Sequence, residues 1–87
     1  MIEKRAVVRR SVGLHARPAF ELAQTAAKSR GAIWLAGPHG EPVDAKSLLM
    51  IMSLGILAGE EVTFRAAEPQ DESTIQQMVE IVSREGH

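Results

Sequence analysis

The sequence predicts an α+β domain of two layers, a four-stranded antiparallel sheet with three helices on one face. Two observations predict it. Segments with the two-residue period of strands and segments with the spacing of helices succeed each other as strand, helix, strand, strand, helix, strand, helix. If the first helix makes a right-handed crossover between parallel strands one and two, strand four can slip between them antiparallel, which is a split β-α-β layout.

Residues 2 to 9 form the first strand, with Ile2, Ala6 and Val8 on one face, Glu3, Arg5, Val7 and Arg9 on the other, and Lys4 out of pattern. From Ala16 the period changes, and Ala16, Ala19, Phe20, Ala23, Ala26 and Ala27 mark a helix face up to Gly31, read as a left-handed stop. Ala32 to Ala36 alternates with Ile33 and Leu35 inward and Trp34 outward. Gly37-Pro38-His39-Gly40 then turns the chain into an edge strand, Glu41 to Asp44, where Pro42 is tolerated. Ser47 N-caps a short helix that ends near Gly55, and Gly59 turns into a strand from Glu61 to Ala67 with Val62, Phe64 and Ala66 inward. The last helix follows Pro69, capped by Asp71, with Ile75, Met78, Val79 and Val82 buried.

With 87 residues the chain reads as one domain over residues 1–87, with one core. There are no cysteines, so disulfides, thiol nucleophiles and Cys-type zinc sites are excluded. The N-terminus leads straight into a strand, with no apolar leader and no run long enough for a bilayer, so the reading is cytoplasmic, without membrane insertion. Ten Lys and Arg against 11 Asp and Glu give no general attraction to nucleic acid. A zinc-binding or nucleic-acid-binding split β-α-β module is the rival of a different class. Its signals are weak: His15, His39 and His87 lack ligand spacing, and Trp34 has no aromatic partner.

The chemistry concentrates at Gly13-Leu14-His15-Ala16-Arg17-Pro18-Ala19. Gly13 permits a turn, and Pro18 is tolerated only in a helix's first turn, so His15 falls at or just before the N-cap. Unpaired backbone N–H groups there favour an anion, and Arg17 adds a planar fork of donors suited to phosphate. A lone histidine is ordinarily a capping or surface residue, and an arginine ordinarily half of an ion pair. Together at one helix entrance they read as a phosphate site that contains its own nucleophile, with the backbone N–H groups of Ala16 and Arg17 sharing the charge. Arg10 is either a steering charge for acidic partners or a solvated one. The run Leu48-Leu49-Met50-Ile51-Met52 is too apolar for one buried face, which leaves Leu49 and Met52 to be exposed.

These residues carry a resemblance. The segment from Gly13 to Ala19 matches the active-site motif of the HPr family, the histidine-containing phosphocarriers of the bacterial phosphoenolpyruvate-dependent sugar phosphotransferase system. Lys46 to Ile56 is similar to that family's regulatory-serine segment. The resemblance covers the whole chain and departs from the family pattern at the bulkier Phe20, Trp34 and Met50. It implies an open-faced β-sandwich with strand order 1-4-2-3. It also implies a carrier, not a complete enzyme, that takes phosphate from enzyme I onto Nδ1 of His15 and passes it to IIA domains of sugar permeases. Ser47 becomes a regulatory phosphorylation site for an HPr kinase/phosphorylase, with a transcriptional regulator as a further partner, and the apolar run makes Leu48, Leu49 and Met52 a partner surface. No cofactor and no metal is implied, and a carrier that meets several partners in turn is expected to be monomeric. A regulatory homologue acting only through protein contacts is expected to lack the histidine. A nitrogen-branch carrier would share the chemistry, and the Ser47 segment favours the sugar branch.

Overall fold

The computed structural model describes residues 1–10 and 13–84. The elements follow in the predicted order: β1 (Ile2–Val7), α1 (Ala16–Ala26), β2 (Ile33–Ala36), β3 (Val43–Asp44), α2 (Leu48–Ser53), β4 (Glu61–Ala66), a 3₁₀ turn (Pro69–Asp71) and α3 (Glu72–Ser83). The sheet order is β1-β4-β2-β3, and each neighbouring pair is antiparallel. β4 pairs with β1 from Ile2↔Ala66 to Val7↔Glu61 and with β2 from Ile33↔Ala66 to Ala36↔Thr63. β1 and β2 are therefore parallel, and α1 crosses over between them.

The core lies between sheet and helices. Ile33, Leu35, Val62, Phe64 and Ala66 supply its floor, and Ala19, Leu22, Ile75, Met78 and Val82 come down on them from α1 and α3. On the open face Glu3 and Arg65 stand opposite each other across β1 and β4 at 2.7 Å, and this partner holds the Glu3 carboxyl below its ordinary range. Lys4 does not break the alternation of β1. Its position shares the inward face with Ile2 and Ala6, and its ammonium reaches Glu72 of α3 at 3.5 Å.

Helix phase is where the reading from periodicity needs correction. The buried residues of α1 are Pro18, Ala19, Leu22 and Ala26, while Ala16 and Ala27 are exposed and Phe20 is 52% exposed. Two neighbouring stripes satisfy helical spacing, and the one containing Leu22 and Pro18 removes more contiguous apolar area from water. On α3 Ile81 is buried where Val79 is only partly so. The edge strand is confined to Val43 and Asp44, with Pro42 just outside it.

Gly31 and Asp71 are corrected together. α1 ends at Ala27 in a right-handed conformation, and Gly31 has no positive φ. Gly31 answers a different requirement, since a side chain there would press into Glu68. Asp71 occupies the N-cap position of α3 but makes no capping bond. Its carboxylate accepts instead from the backbone N–H groups of Arg30 (2.9 and 3.1 Å) and Gly31 (2.8 Å), tying the α1–β2 connection to the start of α3. These two amides hold the Asp71 carboxyl below its usual range.

The sign of the effect follows from linkage. A depressed carboxyl stabilises the fold above the ordinary aspartate range, near pH ~4, and that contribution disappears as pH falls through the lowered value. Asp71→Asn, which keeps one acceptor, is expected to unfold at lower urea than the wild type at pH 7 and to lose less stability on acidification. Urea titrations at several pH values check this, and parallel curves for the two proteins would contradict it.

Candidate functional site

His15 is the N-cap of α1, with extended backbone (φ −80°, ψ −171°). Its Nδ1 accepts the backbone N–H of Arg17 at 3.4 Å, a long bond. An acceptor must offer a lone pair, so in the neutral ring the proton sits on Nε2. Nε2 is buried and has no hydrogen-bond partner among the described residues. The basic nitrogen is thus the one at the helix N-terminus, where the peptide dipoles favour negative charge by roughly 0.3–1 kcal/mol.

The supply of donors there is limited by sequence. Ala19 N–H already bonds the His15 carbonyl at 3.1 Å, and Pro18 has no N–H to give. Ala16 and Arg17 carry the remaining backbone donors of the first turn. The side chain of Arg17 is exposed, and its guanidinium makes no ion pair or hydrogen bond among the described residues. Nucleophile, two amides and a planar cation are therefore placed at one helix entrance. Such a set can attack an electrophilic phosphorus and hold its oxygens.

Gly13 sets this geometry. Its φ is +73°, in the region that disfavours side chains, and a Cβ would overlap the Ile56 carbonyl oxygen and crowd Leu57. The following amide, Leu14 N–H, donates to that Ile56 oxygen at 3.1 Å. The strand of chain leading to His15 thus lies directly on the α2–β4 connection, a contact that no local motif announces.

Ser47 caps α2, its hydroxyl accepting Met50 N–H at 3.2 Å. Of the predicted surface residues, Leu49 (79%) and Met52 (41%) are exposed, while Leu48 is half-buried and packs against the core. Met50 joins the exposed group, and Ile51 is the residue α2 buries. α1 and α2 are in contact, so Phe20 and the α2 side chains belong to adjoining helices.

Arg10 is neither a steering nor a solvated charge. It is 7% exposed, and its guanidinium donates to the Ile81 carbonyl and to Glu21. His39 is exposed in the β2–β3 turn, and His87 lies outside the described residues. Among the described residues no group of three metal-ligating side chains occurs, and no helix is long and apolar enough to cross a membrane.

Comparison with known proteins agrees with this geometry. The family model for the PTS HPr component phosphorylation site matches residues 2–84. The phosphocarrier protein HPr of Mycoplasma genitalium is 37% identical over 70 residues, 80% of each chain. That of Streptomyces coelicolor is 31% identical over 83 residues, covering 95% of this chain and 89% of its own. The crystal structure of HPr-C-His from Thermoanaerobacter tengcongensis superposes with a TM-score of 0.85 at 36% identity, covering 94% of this chain and 91% of the other.

Gly13→Ala is expected to destabilise the fold by ~1–3 kcal/mol, because it adds both a strained φ and a clash with backbone. Thermal unfolding checks the loss, and a melting temperature equal to that of the wild type would contradict it.

Proposed function

The chain belongs to the HPr family of phosphocarrier proteins, and from that premise we propose that His15 accepts a phosphoryl group from phospho-enzyme I and donates it to IIA domains of sugar permeases. The observation that carries this reading is the placement of His15 Nδ1 at the α1 N-cap, against the amide of Arg17, a residue whose exposed guanidinium has no ion pair among the described residues.

Nδ1 attacks phosphorus in line, its N–P bond forming as the donor's N–P bond breaks, so the donor imidazole leaves with the electron pair. The proton remains on Nε2, and the ring becomes cationic. That charge makes it a good leaving group for the next transfer. The Arg17 N–H, relieved of its long bond to Nδ1, turns to a phosphoryl oxygen together with Ala16 N–H, and the Arg17 guanidinium spans the remaining oxygens. None of these groups cleaves or isomerises a substrate, so the protein acts as a relay intermediate, not as an enzyme.

Leu48, Leu49 and Met52, with Met50, form the partner surface. Its exposed apolar side chains sit on the helix that Ser47 caps. Phosphorylation of Ser47 by an HPr kinase/phosphorylase would add about −1.5 to −2 charge at that helix N-terminus, where it does not melt the helix. It disturbs docking instead, because the dianion must shed water at the edge of an apolar contact. A transcriptional regulator is a further partner in this reading. The carrier works in the cytoplasm as a monomer, through weak and fast contacts.

Intact-mass measurement after incubation with phosphoenolpyruvate and enzyme I tests the carrier. One acid-labile phosphate is expected, absent in His15→Ala and formed roughly 10²-fold more slowly in Arg17→Ala. A wild type that takes no phosphate from its cognate enzyme I would refute the proposal. Ser47→Ala is expected to lose about 1 kcal/mol of stability with the cap and to escape labelling by the kinase. Chemical denaturation and phosphoserine analysis measure the two effects.

A further inference from the structure

The end of α3 is capped from the opposite end of the chain. The last carbonyls of a helix lack intrahelical donors, and α3 has no basic residue in its last turn. Arg9 N–H donates to the Val82 carbonyl at 2.8 Å, and Arg10 Nε donates to the Ile81 carbonyl at 3.1 Å. The negative end of the α3 dipole thus receives its cation from just beyond β1.

The same guanidinium reaches α1. Its Nη2 donates to Glu21 Oε1 at 3.0 Å, and Glu21 lies on the second turn of the helix that His15 caps. The Arg10 backbone carbonyl, in turn, accepts Gly13 N–H at 3.0 Å. A single residue therefore bonds to the C-terminal end of α3, to the body of α1, and to the backbone two residues before His15. As a source of stability alone the ion pair is modest, since the Glu21 side chain is 39% exposed and remains hydrated. What the three links specify is where the approach to His15 begins relative to the helix that carries Arg17.

We propose that Arg10 is a positioning residue for phosphoryl transfer at His15, registering the loop that presents the imidazole against α1 and α3. The inference rests on the carrier reading above. In-line attack depends on placement, and an error of about 1 Å can slow a reaction of this kind roughly 10²-fold. With its guanidinium committed to Ile81 and Glu21, Arg10 acts through the chain it holds.

The test compares wild type, Arg10→Met, Arg10→Lys and Glu21→Gln as full chains. It measures the maximal rate and half-saturating concentration for phosphate transfer from phospho-enzyme I, and amide hydrogen exchange. Arg10→Met is expected to lower the maximal rate roughly ten- to a hundredfold while the half-saturating concentration stays within about twofold. The Gly13 and Leu14 amides should exchange faster, with the β1–β4 ladder unchanged. Arg10→Lys, which keeps the charge without the fork, should recover part of the rate. A folded Arg10→Met protein with the wild-type maximal rate would overturn the inference, as would a loss that only follows the unfolded fraction. Should Arg10→Met fail to fold, Glu21→Gln decides, a lowered maximal rate supporting the inference and an unchanged one overturning it. Should the wild type itself take no phosphate, the carrier reading falls, and the Gly13 and Leu14 exchange alone judges whether Arg10 positions this loop.

Discussion

The pairing of β4 on both sides is the interaction on which the rest of the structure depends. Until Glu61–Ala66 lies between β1 and β2 neither of those strands has a hydrogen-bonded partner on that side, and the floor of the core, centred on Phe64, does not exist. The pairing joins Ile2 to Ala66, so an early strand waits for a late one. Such non-local closure costs chain entropy before it returns stability. Once it is made, β1 and β2 are parallel, and α1 has to cross the sheet in a position that presents its N-terminus at one end of the molecule.

Two polar side chains complete what the sheet begins. Asp71 binds the backbone after α1 to the start of α3, and Arg10 binds the backbone before α1 to the end of α3. α1 is in this way referenced to α3 at both of its ends, by bonds between residues 40 to 71 positions apart in the chain. Both side chains are almost fully buried, and each offsets the cost of its burial with several hydrogen bonds. Apolar contacts bring these elements together, but they slide easily. Directional bonds set the registers.

The proposed phosphate site uses this frame without adding much to it. The cap geometry turns His15 Nδ1 toward the first turn of α1, the Arg17 guanidinium has no ion pair among the described residues, and the backbone donors are those that Pro18 and the Ala19 bond leave over. The proposed relay asks for transience: a site that neutralised a phosphate fully would hold it, whereas one made of open backbone donors and an exposed arginine suits a group that must pass on.

The sequence by itself determined the order of elements, the inward residues of the strands, the cap positions of His15 and Ser47, and the co-location of His15 with Arg17. Each depends on neighbours within about one helical turn or on strict alternation, so local chemistry is sufficient. The phase of α1 was ambiguous because adjacent alanine-rich stripes satisfy the same spacing, and only packing on the sheet selects Leu22 over Phe20. The tertiary structure alone decided the roles of Arg10, Asp71 and Lys4, whose partners Ile81, Arg30, Gly31 and Glu72 are distant in the chain. It also decided why residue 13 must lack a side chain, since the obstacle is the backbone of Ile56 and Leu57. A charged residue in a sequence shows what it can bond, whereas the fold determines what it meets.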